Sequence, residues 1–222
     1  MIVGERKSLE DIRKMISGYR KVLVAGCGTC VTVCFAGGEK EVATLSSALR
    51  LAAKKGGDGI EILEATIQRQ CDIEFIQELK EKVEQVEAIL SMGCGAGVQT
   101  IAETFREIPV YPALNTRFIG RTDEQGLWSE RCAACGDCLL HLTGGICPVA
   151  RCSKSILNGP CGGSKDGKCE IKSEVDCAWQ LIYDRLKALG QLNKLEEIIP
   201  VKDWSANRDG GPRKQVREDM KL

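Results

Sequence analysis

The stretch from Cys132 to Cys177 places eight cysteines within 46 residues and opens on Cys132-x2-Cys135-x2-Cys138. A segment this dense in thiols, and this poor in large apolar side chains, has little to pack, so bound metal must supply folding energy that a core supplies elsewhere. Thiols at every third position wrap one face of an iron–sulfur cube. Five more cysteines lie in the first half, at positions 27, 30, 34, 71 and 94. Two metal or redox regions are expected, separated by a tract without thiols.

Composition narrows the alternatives. At 222 residues and 43% apolar content, the chain can build one large domain or two small ones. Its 31 basic and 31 acidic side chains balance, so no overall field draws it to nucleic acid or to an acidic membrane. The first twenty residues interleave Glu5, Arg6, Lys7, Glu10, Asp11 and Arg13 with apolar positions, and no apolar run approaches the ~20 residues of a membrane span. A cytoplasmic protein is expected. Cytosol keeps thiols reduced, so thirteen cysteines read there as metal or cluster ligands and not as a disulfide framework.

The first half alternates strands with helices. Ser8 to Gly18 predicts an amphipathic helix whose Ser8 and Asp11 are spaced as a capping box. Lys21 to Ala25 reads as a buried strand, followed by a cysteine loop and a helix from Gly38 to about Lys55 with Val42, Leu45, Leu49 and Ala52 on one face. The pattern returns as strand Gly59 to Ala65, a loop with Cys71 and a helix from Asp72 to Glu84. It returns again as strand Val86 to Met92, a turn with Cys94, and a helix through Val98, Ile101 and Phe105; Val110 to Leu114 is a fourth strand candidate. Such alternation predicts an open, mostly parallel, Rossmann-like α/β sheet over residues 1–118. Ligands bind such sheets beyond the carboxyl ends of the strands, and every cysteine of the first half falls on that edge.

The loop from Gly26 to Cys34 (GCGTCVTVC) holds three thiols within eight residues. Gly26 and Gly28 resemble half of a dinucleotide fingerprint, but position 31 is Val, which disfavours that site. A cluster explains more, because glycine lets backbone amides approach the sulfurs and the following helix start favours thiolates. The set expected here is Cys27, Cys30 and Cys34, completed by Cys94 or Cys71, with Cys94 preferred because the first and third strands of a doubly wound sheet are often neighbours.

Beyond this domain the periodicity fades. Residues 119–130 are expected as a linker, 131–200 as a loop-rich cysteine domain, and 201–222 as a flexible tail that orders on a partner as an extended arm. Residues 174–189 predict a closing helix capped by Ser173 and Asp176, with Trp179, Ile182, Leu186 and Leu189 on one side. The cysteines Cys132, Cys135, Cys138, Cys147, Cys152, Cys161 and Cys169 are the candidate ligands of [4Fe-4S] clusters, two or more in the chain, with zinc as the alternative metal. Eight thiols could hold two clusters of four, one cluster with several non-ligating cysteines, or a zinc beside a cluster, and spacing leaves open whether Cys177 takes part. His141 is the only histidine, which removes histidine-pair metal sites and strains any Ser-His-Asp triad. No catalytic residue is assigned.

The ordered run Cys132-Ala-Ala-Cys135-Gly-Asp-Cys138, Thr143-Gly-Gly-Ile-Cys147-Pro148, Arg151-Cys152-Ser-Lys154, Asn158-Gly-Pro-Cys161-Gly-Gly and Lys168-Cys169-Glu170 resembles the cysteine-rich domain associated with methylenetetrahydrofolate reductases. Gly26-Cys27-Gly28-Thr29-Cys30, Arg69-Gln70-Cys71 and Gly93-Cys94-Gly95-Ala96-Gly97 extend the likeness to the small iron–sulfur subunit of such enzymes in acetogens, the MetV type. The resemblance spans about residues 5 to 200. It implies a non-catalytic relay that passes electrons through its clusters to the flavin of a MetF-type partner subunit, which reduces 5,10-methylenetetrahydrofolate to 5-methyltetrahydrofolate. Flavin is then expected only on the partner, and a further electron-donating protein would feed the relay. Two rivals stand beside it: a zinc-stabilised scaffold that anchors the catalytic subunit, and a freestanding iron–sulfur oxidoreductase.

Overall fold

A computed structural model describes residues 1–57 and 59–220, and the chain divides into two compact units, Met1–Ser129 and Glu130–Leu222. The first unit begins with β1 (Ile2–Arg6) and α1 (Leu9–Met15). Ser8 caps α1 as its spacing predicts: Asp11 N donates to Ser8 Oγ at 3.0 Å, and the hydroxyl donates to the Asp11 carboxylate at 2.6 Å. Then follow β2 (Lys21–Cys27), the short α2 (Cys30–Val33), α3 (Glu39–Gly56) and β3 (Glu61–Ile67). The chain continues through α4 (Ile73–Ile76), α5 (Lys80–Val83), β4 (Ala88–Ser91), α6 (Gly95–Thr104) and β5 (Val110–Pro112).

Four parallel strands stand in the order β3-β2-β4-β5. In chain order of these four this is second, first, third, fourth, so the direction of winding reverses between β2 and β4, which are neighbours as expected. Strand β2 is buried on both faces and sorts its side chains with period two. Val22 and Val24 pack with Ile12, Val42, Leu45 and Leu49 of α1 and α3, whereas Leu23 and Ala25 pack with Ile76, Leu79 and Ile101 on the opposite face. These layers hold the carboxyl ends of β2, β3 and β4 in register, Ala25 lying opposite both Ala65 and Ser91.

Three expectations for this unit need correction. The helix expected over 72–84 is broken by a 3-10 turn at Gln77–Leu79; Ile76, Leu79 and Val83 still face the core, because apolar spacing fixes a face and not the hydrogen-bond partner. Residues 119–130 are not a linker: β6 (Leu114–Glu124) and β7 (Leu127–Cys132) form a hairpin in an antiparallel sheet of order β1-β6-β7. Its polar strands carry little hydrophobic alternation, and their partner β1 lies over a hundred residues away in sequence. The one local signal is the turn at Gly126, whose φ of 89° suits glycine. Strand β1 itself lay outside the expected elements.

The second unit has α7 (Pro148–Arg151) and α8 (Ala178–Ala188), joined by loops. Its buried apolar cluster is small: Cys177, Trp179, Ile182 and Leu186, with Ile146 and Cys152 packed against it. Helix α8 starts at Ala178 with Cys177 as its N-cap, later than expected. Asp176 does not cap it. That carboxylate instead accepts from Lys168 Nζ at 2.5 Å, in a small antiparallel ladder that pairs Lys165 with Lys168 and Lys168 with Asp176.

The tail forms short turns at Trp204–Ala206, Arg208–Gly210 and Glu218–Met220. It is tethered at Lys202, whose side chain is 1% exposed. The sequence hides this because a lone lysine in a polar tract reads as solvated. Residues 221 and 222 of the expected tail lie outside the described residues. Among the described residues, no helix is long and apolar enough to cross a membrane.

Candidate metal centres

The carboxyl edge of the parallel sheet gathers thiols from three loops. Cys27 ends β2, Cys71 follows β3, and Cys94 is the N-cap residue of α6 after β4. Partial desolvation pushes the Cys71 thiol up, and the neighbouring thiols of Cys94 and Cys27 push it further, since each disfavours a second negative charge beside it. The thiols of Cys27 and Cys94 therefore both lie within electrostatic reach of Cys71.

A buried glutamine ties this edge together. Gln70 is fully enclosed; its Nε2 donates to Ala25 O at 2.8 Å and its Oε1 accepts from Ser91 Oγ at 2.6 Å. Ser91 Oγ in turn accepts from Gly93 N at 3.1 Å. One side chain thus fixes the residue before Cys71 to the ends of β2 and β4, and through Ser91 to the turn that carries Cys94. Sequence reading placed Gln70 only inside a motif. Its amide flanking a candidate ligand at a strand end was the available signal. The loop from Cys27 to Gly37 folds back on itself, with Cys27 N donating to Gly37 O at 2.9 Å. Gly37 passes so close to the Met92 carbonyl that a Cβ there would collide with it.

The other two thiols of this loop differ from each other. Cys34 is buried with Val3, Val31, Ala36 and Leu114, and Gly4 N donates to its sulfur at 3.4 Å. Burial pushes its thiol up. Cys30 is half-buried at the start of α2.

In the second unit the candidate ligands fall into separate places. Cys132 and Cys138 are exposed and Cys135 is half-buried. Their loop is shaped by left-handed backbone at Ala134, with φ of 51°, an uncommon conformation for a residue with a side chain. It turns the Ala134 amide onto the Cys132 sulfur at 3.3 Å. Lys202 Nζ and Arg213 Nη1 donate to the carbonyls of Asp137 at 2.6 Å and Ala134 at 2.7 Å, so two tail cations grip the loop. Cys147 begins α7, where its sulfur accepts from Ala150 N at 3.4 Å.

Cys152, Cys161, Cys169 and Cys177 together line one small cavity, closed on one side by Trp179. Cys161 donates to Glu170 Oε1 at 3.7 Å, and Glu170 is paired with Lys154. The Ser153 hydroxyl, 3.3 Å from the Cys169 sulfur, holds that thiol below its usual range. His141 is exposed, and its carbonyl accepts from Lys194.

Among the described residues, no three His, Cys, Asp or Glu side chains lie close enough to share a single ion. A lone zinc gathers its thiolates at about 2.3 Å each. A cube binds each thiolate through a different iron and so accepts a wider spread of sulfurs. A cavity of about 990 Å³ among Leu9, Arg13, Tyr19, Leu49 and Ile60 is lined by no thiol and lies at the amino ends of the strands.

No curated protein and no solved structure matches the chain. Residues 111–205 match the family described as methylene-tetrahydrofolate reductase C terminal, which relates the cysteine-rich half of the chain to that reductase.

Proposed function

We propose that the chain is the electron-relay subunit of a methylenetetrahydrofolate reductase, carrying [4Fe-4S] clusters that pass electrons to a flavin on a MetF-type partner subunit. What supports this reading is that Cys27, Cys71 and Cys94 all stand at the carboxyl ends of neighbouring parallel strands, in a chain of which residues 111–205 match the reductase C-terminal family. Cys30 completes the first station. Cys34 has its sulfur engaged by Gly4 within an apolar cluster and acts as packing. The second unit supplies the other station or stations from Cys132, Cys135, Cys138, Cys147, Cys152, Cys161 and Cys169.

A cluster at either place would supply one-electron transfer. The chain's own residues do the rest. Gln70 and Ser91 hold the ligand loops of the first station at a fixed separation. At the second, the exposed thiols of Cys132 and Cys138 present their station to a partner, and Lys202 and Arg213 fasten the loop that carries them. The flavin subunit and an external donor protein would each face one of the two stations.

The test is anaerobic electron transfer in the complex with a flavin-bearing reductase subunit. Cys27→Ser and Cys132→Ser, introduced separately, should each remove iron and slow flavin reduction at least tenfold. Iron loss in both variants with flavin reduction unchanged would refute the relay.

A further inference from the structure

We infer that the flavin-bearing reductase subunit docks on the uncharged face around Phe35 and Trp128, so that the first station, and not the second, is the one that meets the flavin. This rests on the relay reading above and gives it a surface.

Phe35 stands where a helix commonly ends in glycine. Cys34 is the C-cap residue of α2, and Phe35 after it adopts left-handed backbone, with φ of 53°. That conformation crowds a β-carbon and is rare for a bulky residue. The loop enforces it: Phe35 N donates to Thr32 O at 3.0 Å, while Ala36 N and Gly37 N both donate to Val31 O, at 2.9 and 3.1 Å. The ring is left facing outward. Phe35 is 57% exposed and Val33 52%. Glycine would make the same turn without strain, so the turn alone does not call for a ring.

The Phe35 ring leans on Trp128 of β7, with centroids 6.3 Å apart and planes tilted by 59°. The Trp128 Nε1 is enclosed and has no hydrogen-bond partner among the described residues. A strained backbone and an unmet donor therefore lie side by side, and such costs gather where a protein binds something. A partner that buries the ring and brings an acceptor to the indole, after a small shift of the ring, gives both a role.

Charge indicates which partner this is. Residues 22–38 and 88–102, which include the ends of β2 and β4 and the loops beyond them, contain no Asp, Glu, Lys or Arg, in a chain that is 28% charged. Gly28, Thr29, Cys30, Val33, Phe35 and Cys94 are the exposed or half-buried members of these stretches nearest the thiols. A face without charge desolvates readily and suits the core of a lasting subunit interface. The second station differs: Glu130, Arg131 and Asp137 flank its thiols, and Lys202 and Arg213 grip its loop. Such a charged surface suits an external donor that is steered in and leaves again. Trp128 also lies within residues 111–205, which match the reductase family. Phe35 follows Cys30 by five residues, so a subunit seated on the ring covers the loop of the first station.

The experiment measures the affinity of the full chain, purified without oxygen, for the flavin-bearing reductase subunit of the same organism. It compares wild type, Phe35→Gly, Phe35→Asn and, in the second unit, Ile198→Asp, whose native side chain is 84% exposed. Glycine and asparagine both suit left-handed backbone, so the two Phe35 variants should keep wild-type iron and melt close to wild type. Their dissociation constants should rise about tenfold or more, with Ile198→Asp unchanged. Flavin reduction should slow at limiting partner and recover at saturating partner. Wild-type affinity in both Phe35 variants would overturn the assignment, and so would loss of iron together with affinity, which would make Phe35 a packing residue. Binding that depends on Phe35 while no electrons reach the flavin would refute the relay and leave the docking face standing. No binding by wild type would overturn both.

Discussion

Lys202 buries its ammonium against Asp137, donating to that residue's carbonyl oxygen at 2.6 Å from a side chain that is 1% exposed. A buried cation is costly unless its hydrogen bonds are made, and the Asp137 carboxylate at 3.5 Å and the Trp204 ring at 5.8 Å complete its surroundings. The tail is thereby fixed to the loop between Cys135 and Cys138. Lys202→Met should cost about 1.5–3 kcal/mol, the range for a hydrogen bond to a charged group. Trypsin should then cleave at Arg208 and Arg213 several-fold faster than in wild type. Equal cleavage would mean that the tail is held by other contacts.

Gln70 bolts together the strand ends at which the first station is proposed. Gln70→Leu keeps the volume but removes one of the two bonds Ala25 O accepts, Met92 N supplying the other, and leaves the buried Ser91 hydroxyl proton without its acceptor, at about 1–3 kcal/mol for that unmet donor. Urea unfolding should show a lower midpoint at unchanged slope, and the purified variant should retain less iron at its first station. A variant with wild-type stability would show that water or another side chain takes over these bonds.

Cys34 and Cys30 should separate cleanly. Cys34→Ala removes a buried sulfur from the cluster of Val3, Val31 and Leu114 and is expected to lower stability by about 1 kcal/mol with no change in iron. Cys30→Ala should do the reverse, losing iron. Iron analysis of both variants decides the matter; loss of iron in Cys34→Ala would return Cys34 to the ligand set.

Asp203 gives the tail a pH dependence. Hydrogen bonds from Ser205, through its hydroxyl and its amide, hold the Asp203 carboxyl below its usual range. The folded value lies below the unfolded one, so this cap stabilises the turn above the unfolded pKa and is lost as pH falls through the folded value. Amide exchange at Ser205, corrected for intrinsic rates, should lose protection between about pH 5 and pH 2. In Asp203→Ala, protection should be low throughout that range.

Much of the first unit was legible because its signals are local. Apolar runs such as Lys21 to Ala25 and the face Val42, Leu45, Leu49 report burial directly, and the thiol loops follow from where strands end. The hairpin of β6 and β7 was not, since strands exposed on a polar face depend on a partner distant in sequence. The same limit applied to the thiols. Spacing could not partition the eight thiols from Cys132 to Cys177, whereas the fold lines one cavity with Cys152, Cys161, Cys169 and Cys177, the last two flanking the ladder at Lys168 and Asp176. Cys34 read as a ligand from its neighbours in sequence, and only the packing of β1 over it shows what surrounds its sulfur. The grip of Lys202 on the cysteine loop spans 65 residues and has no sequence period.

The central claim is that the thiols of both units hold iron–sulfur clusters, and the direct measurement is iron, acid-labile sulfide and zinc per chain after purification without oxygen. The account predicts iron and sulfide in equal amounts, about four of each per cluster and at least two clusters per chain. Zinc without sulfide would contradict it, leaving the cysteine-rich unit as a scaffold and moving electron transfer to the partner.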